Sequence, residues 1–186
     1  MQPTSEDLVV LLDAAGKPSG TADRMTVHGP DTPLHLAFSC YVVDHDQQIL
    51  MTRRALGKKT WPGVWTNACC GHPRPGESMG QAITRRVEQE LGARITDLHP
   101  ALPDFRYEAI DASGVRENEV CPVYVAVLDG HLHPDPDEVM EYHWAQPAAL
   151  AEVAARSPWL LSPWSVAQID ALDLPRLAQH ALASAH

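Results

Sequence analysis

Trp61-Pro62-Gly63-Val64-Trp65-Thr66-Asn67-Ala68-Cys69-Cys70-Gly71-His72-Pro73 opens the stretch, running on to Gly92, around which this chain is organised. A cysteine pair followed by Gly-His-Pro brings a thiol and an imidazole to one turn, where glycine lets backbone approach a ligand. Past it, Met79, Ala82, Ile83, Val87 and Leu91 recur at helical spacing between Glu77 and Leu91, and Gly92 is a suitable stop. Arg86 and Glu90, four residues apart, share a face of that helix. They form either an i,i+4 ion pair or a site offering Arg86 to phosphate and Glu90 to a metal, and the preceding loop favours the second.

Outward from that stretch, charge is unevenly spread. Residues 53–94 hold eight Lys or Arg against three Glu, a surplus of +5, which leaves −15 for the rest of a chain of net charge −10. An acidic protein that gathers cations around one segment attracts a small anion there, and its overall sign argues against nonspecific nucleic-acid binding. The 186 residues suit one domain, 1–186, with a sizeable core, and 45% hydrophobic with 20% charged residues is ordinary for a soluble protein. No run of eighteen apolar residues exists, and Met1-Gln-Pro-Thr-Ser-Glu-Asp lacks the parts of a secretion signal, so no membrane partner and a cytoplasmic location are expected. Four cysteines make no disulfide framework here, and adjacent Cys69 and Cys70 would pair only under strain, so reduced thiols are expected.

Leu8–Leu12 reads as a strand, 13–20 as a turn containing Gly16, Pro18 and Gly20, and Thr21–Pro33 as irregular. Leu36–Val43 is an apolar strand, joined through the polar connection 44–48 to another starting at Ile49. Phe105–Ile110 and Val120–Leu128 read as strands linked by the turn 111–114, with Glu117 and Glu119 ahead of the second. At i and i+2 on an extended chain those carboxylates point to one side and repel unless a cation or proton lies between them. Asp135, Asp137, Glu138 and Glu141 beside Pro134 and Pro136 read as a solvated loop. Val139–Trp144 is a last strand, Pro147–Arg156 a helix, 157–164 a Pro/Trp-rich loop, and the remainder helical.

Gly71, Glu77, Arg85, Glu90 and Gly92 stand at the spacing of a Nudix box. The usual Glu-U-x-Glu-Glu after the arginine, U being aliphatic, is here Arg86-Val87-Glu88-Gln89-Glu90, so two carboxylates that a pyrophosphohydrolase needs are replaced by Arg86 and Gln89. That combination resembles type 1 isopentenyl-diphosphate isomerase. The resemblance extends from about Leu8 to about Gln168, through His28-Gly29-Pro30-Asp31-Thr32-Pro33-Leu34-His35-Leu36-Ala37-Phe38-Ser39, Thr52-Arg53-Arg54-Ala55, Pro103-Asp104-Phe105-Arg106-Tyr107, Glu117-Asn118-Glu119-Val120-Cys121-Pro122 and Ser162-Pro163-Trp164.

The resemblance implies an α/β (α+β) fold, a Nudix-like mixed sheet sandwiched between helices, with a C-terminal helical extension from about residue 147. It implies an isomerase that interconverts isopentenyl and dimethylallyl diphosphate by protonation and deprotonation, in isoprenoid biosynthesis, the alternatives being a Nudix pyrophosphohydrolase and a noncatalytic metal or nucleotide-binding module. By the same resemblance Cys70 and Glu119 are catalytic, Tyr107 is placed to hydrogen-bond Glu119, and Trp164 faces a cation. His28, His35, His72, Glu117 and Glu119 hold a first metal, a donor set that suits Mn²⁺ or Mg²⁺ better than four-coordinate Zn²⁺, although imidazole also favours zinc. A structural zinc cluster would need two CxxC arms that are missing. Glu90 and backbone near Cys70 hold a second ion, Mg²⁺, against the diphosphate. Arg24, Arg54, Lys58 and Arg86 contact phosphate, the loop around His28 is a candidate lid, and a monomer or weak homodimer is expected.

Overall fold

A computed structural model describes residues 8–183; the polar start, residues 1–7, and residues 184–186 lie outside them. The strands are β1 (Leu8–Leu12), β2 (Pro18–Asp23), β3 (His35–Leu36), β4 (Phe38–Val43), β5 (Ile49–Arg54), β6 (Trp65–Asn67), β7 (Cys69–Gly71), β8 (Arg94–Leu102), β9 (Arg106–Ile110), β10 (Arg116–Val120), β11 (Val123–Asp129) and β12 (Val139–Ala145). The helices are α1 (Met79–Leu91), α2 (Pro147–Arg156), α3 (Pro163–Ala171) and α4 (Leu174–Ala183), with one 3₁₀ turn at Pro158–Leu160. The strands form two mixed sheets, β2-β1-β3-β10-β9 and β12-β5-β4-β11-β8, the second with β6 on β5 and β7 on β4.

The larger sheet is covered on both faces, and this explains why all six residues of β4 are buried. Tyr41 and Val43 pack with Ile49, Met51, Val123, Val125 and Val127 against α2, α3 and α4. Phe38, Cys40 and Val42 point the other way, onto Ala82, Ile83, Val87 and Leu91 of α1. The period of two along the strand therefore serves two cores at once. The expected sheet between helices is present, as an α+β arrangement.

Several boundaries differ from the sequence expectation. The single strand expected over Leu36–Val43 is two, because the chain leaves one sheet and enters the other at Ala37, whose N–H donates to Val120 O (2.9 Å). The partner passage makes the same change at Cys121–Pro122: β10 runs parallel to β3 and β11 parallel to β4. Glu117 and Glu119 consequently lie within β10 rather than ahead of a strand. The segment 18–23, expected to turn and wander, is an edge strand, a position that tolerates Pro18 and Gly20. The loop after Trp61 contains β6 and β7, and 94–102 is a strand that its Pro100 and polar residues concealed.

α1 begins at Met79, the first of its apolar positions and two residues after Glu77. Ser78 and Gln81 exchange side-chain bonds with each other's backbone N–H, a reciprocal cap that fixes the start. At its end Gly92 has φ 56°, and a Cβ there would lie 2.9 Å from His133 Cβ and press on the His133 carbonyl. Both conformation and space demand glycine. Gly92→Ala is expected to cost about 2–4 kcal/mol, adding left-handed strain to overpacking; a thermal melt that shifts by under a degree would contradict this. His133 N–H to Leu91 O (2.8 Å) and Asp135 N–H to Glu90 O (3.0 Å) tie the acidic segment to the same helix end.

Candidate functional site

One end of the site is built where the two sheets meet. Leu11 pairs with His35, His35 with Glu119, and Glu119 with Tyr107, so four strands bring side chains to one level. His28 comes from the irregular segment after β2 and His72 from the residue after β7. The ligand atoms of His28, His35, His72 and Glu119 all lie within 4.8 Å of one another. Glu119 Oε1 is 3.1 Å from His72 Nε2 and 3.4 Å from His35 Nε2, and Glu117 Oε2 is 3.0 Å from His28 Nε2. The five residues that the sequence nominated for a first metal are thus together, four as one cluster and Glu117 through His28.

This donor set fits a divalent cation better than it fits itself. His35 Nδ1 lies 2.9 Å from Pro33 O, which fixes the proton there and leaves Nε2 with a lone pair aimed at His72 Nε2, 3.1 Å away. His28 Nε2 and Glu117 Oε2 are close, yet not in hydrogen-bond geometry, and both are buried without a hydrogen-bond partner among the described residues. Nitrogen lone pairs and an unpaired carboxylate oxygen brought this close together are what a metal satisfies. Burial opposes charge on both imidazoles; Glu119 overcomes this at His35, whose pKa rises, but not at His72, whose pKa falls. Burial likewise opposes ionisation of Glu119, but the two histidines hold its carboxyl well below the usual range.

The other functional group is held by a buried polar network. Cys70 donates its thiol hydrogen to Asn67 Oδ1 (3.2 Å), and its sulfur lies 3.4 Å from Ser39 Oγ, which accepts from Gln168 Nε2 (2.9 Å). Asn67 Oδ1 also accepts from Trp164 Nε1 (3.1 Å), while its Nδ2 donates to the carbonyls of Cys40 and Cys69. One amide therefore orients thiol and indole together. Burial pushes the Cys70 thiol up to about 11, with Ser39 and Asn67 pulling the other way, so it stays protonated at neutral pH. Ser39, Asn67 and Gln168 were not assigned roles from sequence, although Ser39 and Asn67 lie inside the quoted motifs.

Cys70, His72, Glu117, Glu119, Tyr107 and Trp164 all line one cavity of about 620 Å³, as do His28, Arg24, Arg54, Lys58 and Arg86. His35 is fully buried behind it. Glu90 does not line it but borders a small adjoining recess shared with Cys70 and Lys58. The Tyr107 and Trp164 rings are tilted at 39° with centres 5.7 Å apart, and among the described residues the Glu119 carboxylate is hydrogen-bonded by His72 rather than by the Tyr107 hydroxyl. Trp164 is 2% exposed, and the Arg54 guanidinium lies 5.6 Å from its ring centre.

The cations are restrained individually. Arg54 donates to Thr60 O from Nε (3.0 Å) and Nη2 (2.9 Å). Arg86 pairs with Glu90 along α1, and Lys58 with Glu138. The i,i+4 pair on α1 therefore exists, and the same guanidinium also lines the cavity. Arg85 bridges Glu77 with Nε–Oε1 at 2.7 Å and Nη2–Oε2 at 2.8 Å, and reaches His72 O at 3.3 Å, fastening the loop to the helix. Lys59, read from sequence only as one of the cations around the motif, donates to His28 O (2.6 Å) and restrains the segment expected to act as a lid. Glu138 corrects another expectation: far from being solvated loop, its side chain is 23% exposed and reaches both Lys58 and Arg86.

A NUDIX domain model matches residues 33–164. A crystal structure from Deinococcus radiodurans superposes with TM-score 0.62 at 16% identity, covering 94% of this chain and 98% of that one. A MutT NUDIX hydrolase from Burkholderia pseudomallei gives TM-score 0.55 at 23% identity over 74% and 96%. These likenesses carry the fold alone. Among sequence relatives, the isopentenyl-diphosphate Delta-isomerase of Frankia alni is 60% identical over 89% of this chain and 86% of its own length. That of Leifsonia xyli is 56% identical over 92% and 94%. A Nudix domain in which Arg86 and Gln89 stand where hydrolases carry carboxylates, with relatives this close along nearly its whole length, places the chain in the isopentenyl-diphosphate Delta-isomerase family.

Proposed function

We propose that this protein interconverts isopentenyl and dimethylallyl diphosphate, with Cys70 and Glu119 as its two proton-transfer groups. The observation that carries this reading is that a protonated thiol and an ionised carboxylate face one cavity that Arg24, Arg54, Lys58 and Arg86 also line. Moving the double bond requires a proton delivered to the terminal alkene carbon and another taken from the carbon nearer the diphosphate, on opposite sides of the chain. The electron pair of the old double bond forms the new C–H bond, leaving a tertiary cation. The C–H pair at the other carbon then closes the new double bond. A forward turnover leaves the donor without its proton and the acceptor with one, and exchange with solvent once the product has left restores both groups.

Trp164, held by Asn67 and buried, presents a π face that attracts the cation, worth up to about 2 kcal/mol where water is excluded. It offers no lone pair to trap that cation. Tyr107, beside it and paired in register with Glu119, closes the wall. Arg54, Lys58 and Arg86 anchor the diphosphate, with Arg24 at the entrance, and the His28 segment closes over them, excluding water. His28, His35, His72, Glu117 and Glu119 would hold Mn²⁺ or Mg²⁺, and Glu90 with the Cys70 carbonyl a Mg²⁺; the first supplies positive charge that orients the carboxylate, the second neutralises phosphate charge. Among the described residues no helix is long and apolar enough to cross a membrane.

Incubating the protein with isopentenyl diphosphate and Mg²⁺ in D₂O, followed by NMR, tests the reading. Deuterium is expected in the allylic isomer, with no phosphate released. Free phosphate would favour a pyrophosphohydrolase, and an unchanged substrate a binding role.

A further inference from the structure

Glu138 sits at the junction of the cavity's anion-binding end, and its position is fixed from the main chain outward. Its carbonyl accepts from Ala55 N–H (3.0 Å) and its N–H donates to Asp135 O (3.0 Å), so it is tied to the turn that carries Lys58. From there Oε2 meets Lys58 Nζ, and Oε1 lies 3.3 Å from Arg86 Nη2. One carboxylate thereby spans two cations presented by different elements. Burial raises its pKa, but Lys58 and Arg86 prevail and hold it below the usual range. Asp135 and Asp137 line the same cavity and add negative charge.

Counted as a group, Lys58 and Arg86 are neutralised by Glu90 and Glu138. Glu90 is paired with Arg86 along one helix, and its assigned partner once substrate is bound is Mg²⁺. Glu138 reaches across from another segment, and its partners are the cations an incoming phosphate needs. An acidic wall in an anion site is costly unless weak binding is useful. Here substrate and product carry the same diphosphate, so tighter anchoring stabilises both alike, does nothing for the proton transfers and delays departure.

We propose that Glu138 competes with the diphosphate for Lys58 and Arg86 and so sets the affinity of the site for both substrate and product. This rests on the assignment of those two cations to the diphosphate. Glu138 has no part in moving protons.

The test is calorimetric titration of the metal-loaded protein with inorganic pyrophosphate in the presence of Mg²⁺, together with kcat and KM, for the unaltered protein, Glu138→Gln and Lys58→Ala. Glutamine keeps the shape and the backbone bonds while removing the charge. In Glu138→Gln pyrophosphate is expected to bind about fivefold more tightly, the scale of one partly exposed ion pair. KM should fall by a similar factor with no gain in kcat. Lys58→Ala is expected to weaken pyrophosphate binding. If Lys58→Ala weakens binding but Glu138→Gln binds equally or less well, Glu138 organises the cations instead of competing, and the proposal is wrong. If Lys58→Ala leaves affinity unchanged, the diphosphate lies elsewhere and the underlying assignment falls with it. A fall in KM without tighter pyrophosphate binding would also overturn the proposal, since the change would then not act on the anchor.

Discussion

Replacing Cys70 by alanine is expected to lower kcat about a thousandfold, the scale of one positioned proton-transfer group, while metal content stays unchanged. The side chain removed is the protonated thiol held between Asn67 and Ser39. Alanine removes the thiol hydrogen, and Ser39, the hydroxyl next to it, is not among the residues that line the cavity. The imidazoles and carboxylates of the metal cluster are untouched, because the thiol belongs to a separate set of bonds. Measuring turnover by NMR and metal by elemental analysis on the same sample separates the two roles. Loss of metal along with activity would make the sulfur a ligand; activity within tenfold of the original would remove it from the reaction. Cys70→Ser should recover little, since a hydroxyl is a much weaker acid than a thiol in the same buried place.

Glu119→Gln is expected to remove turnover by about three orders of magnitude as well, and to lower metal retention with it. Two histidine nitrogens converge on the single oxygen Oε1, so the charge lost is the one that balances the cluster. An amide carries no charge to pair with a cation, and its NH₂ group would face nitrogen lone pairs or a metal. Retention after gel filtration reads the ligand role, and turnover with excess Mn²⁺ or Mg²⁺ reads the chemical one. If saturating metal restores full turnover, the carboxylate is a ligand only. If metal content is unaffected and turnover persists, Glu119 has neither role. The two variants differ in outcome: Cys70→Ala separates chemistry from metal, and Glu119→Gln affects both.

Much of this was legible in the sequence where a residue's surroundings were local. The apolar spacing from Met79 to Leu91 and Gly92 after it marked α1, because helix faces and caps are decided within a few residues. Pro147 marked the start of α2 in the same way. That Glu117 and Glu119 share one side followed from strand period, and the structure buries both there. What escaped depended on distant partners. Nothing in Leu36–Val43 marks Ala37 as the point of changing sheets; that is imposed by the passage 120–122 running beside it. Glu138 looked solvated beside its prolines, and only the fold brings Lys58 and Arg86 to it, across 80 and 52 residues of chain. Gln168 reaches Ser39 over 129 residues, a contact no local pattern announces.

Those crossings also govern how freely the protein can vary in length. His35 with Ser39, Cys70 with His72, and Glu119 with Cys121 lie on three passes of backbone, never more than four positions apart, and each pass feeds both the imidazole cluster and the thiol's surroundings. Adding or deleting one residue within any of them would turn its side chains to the opposite side of the pleat and dismantle both ends of the cavity together. Indels are therefore confined to hairpin tips such as 13–17 and 111–114, which lie outside all three.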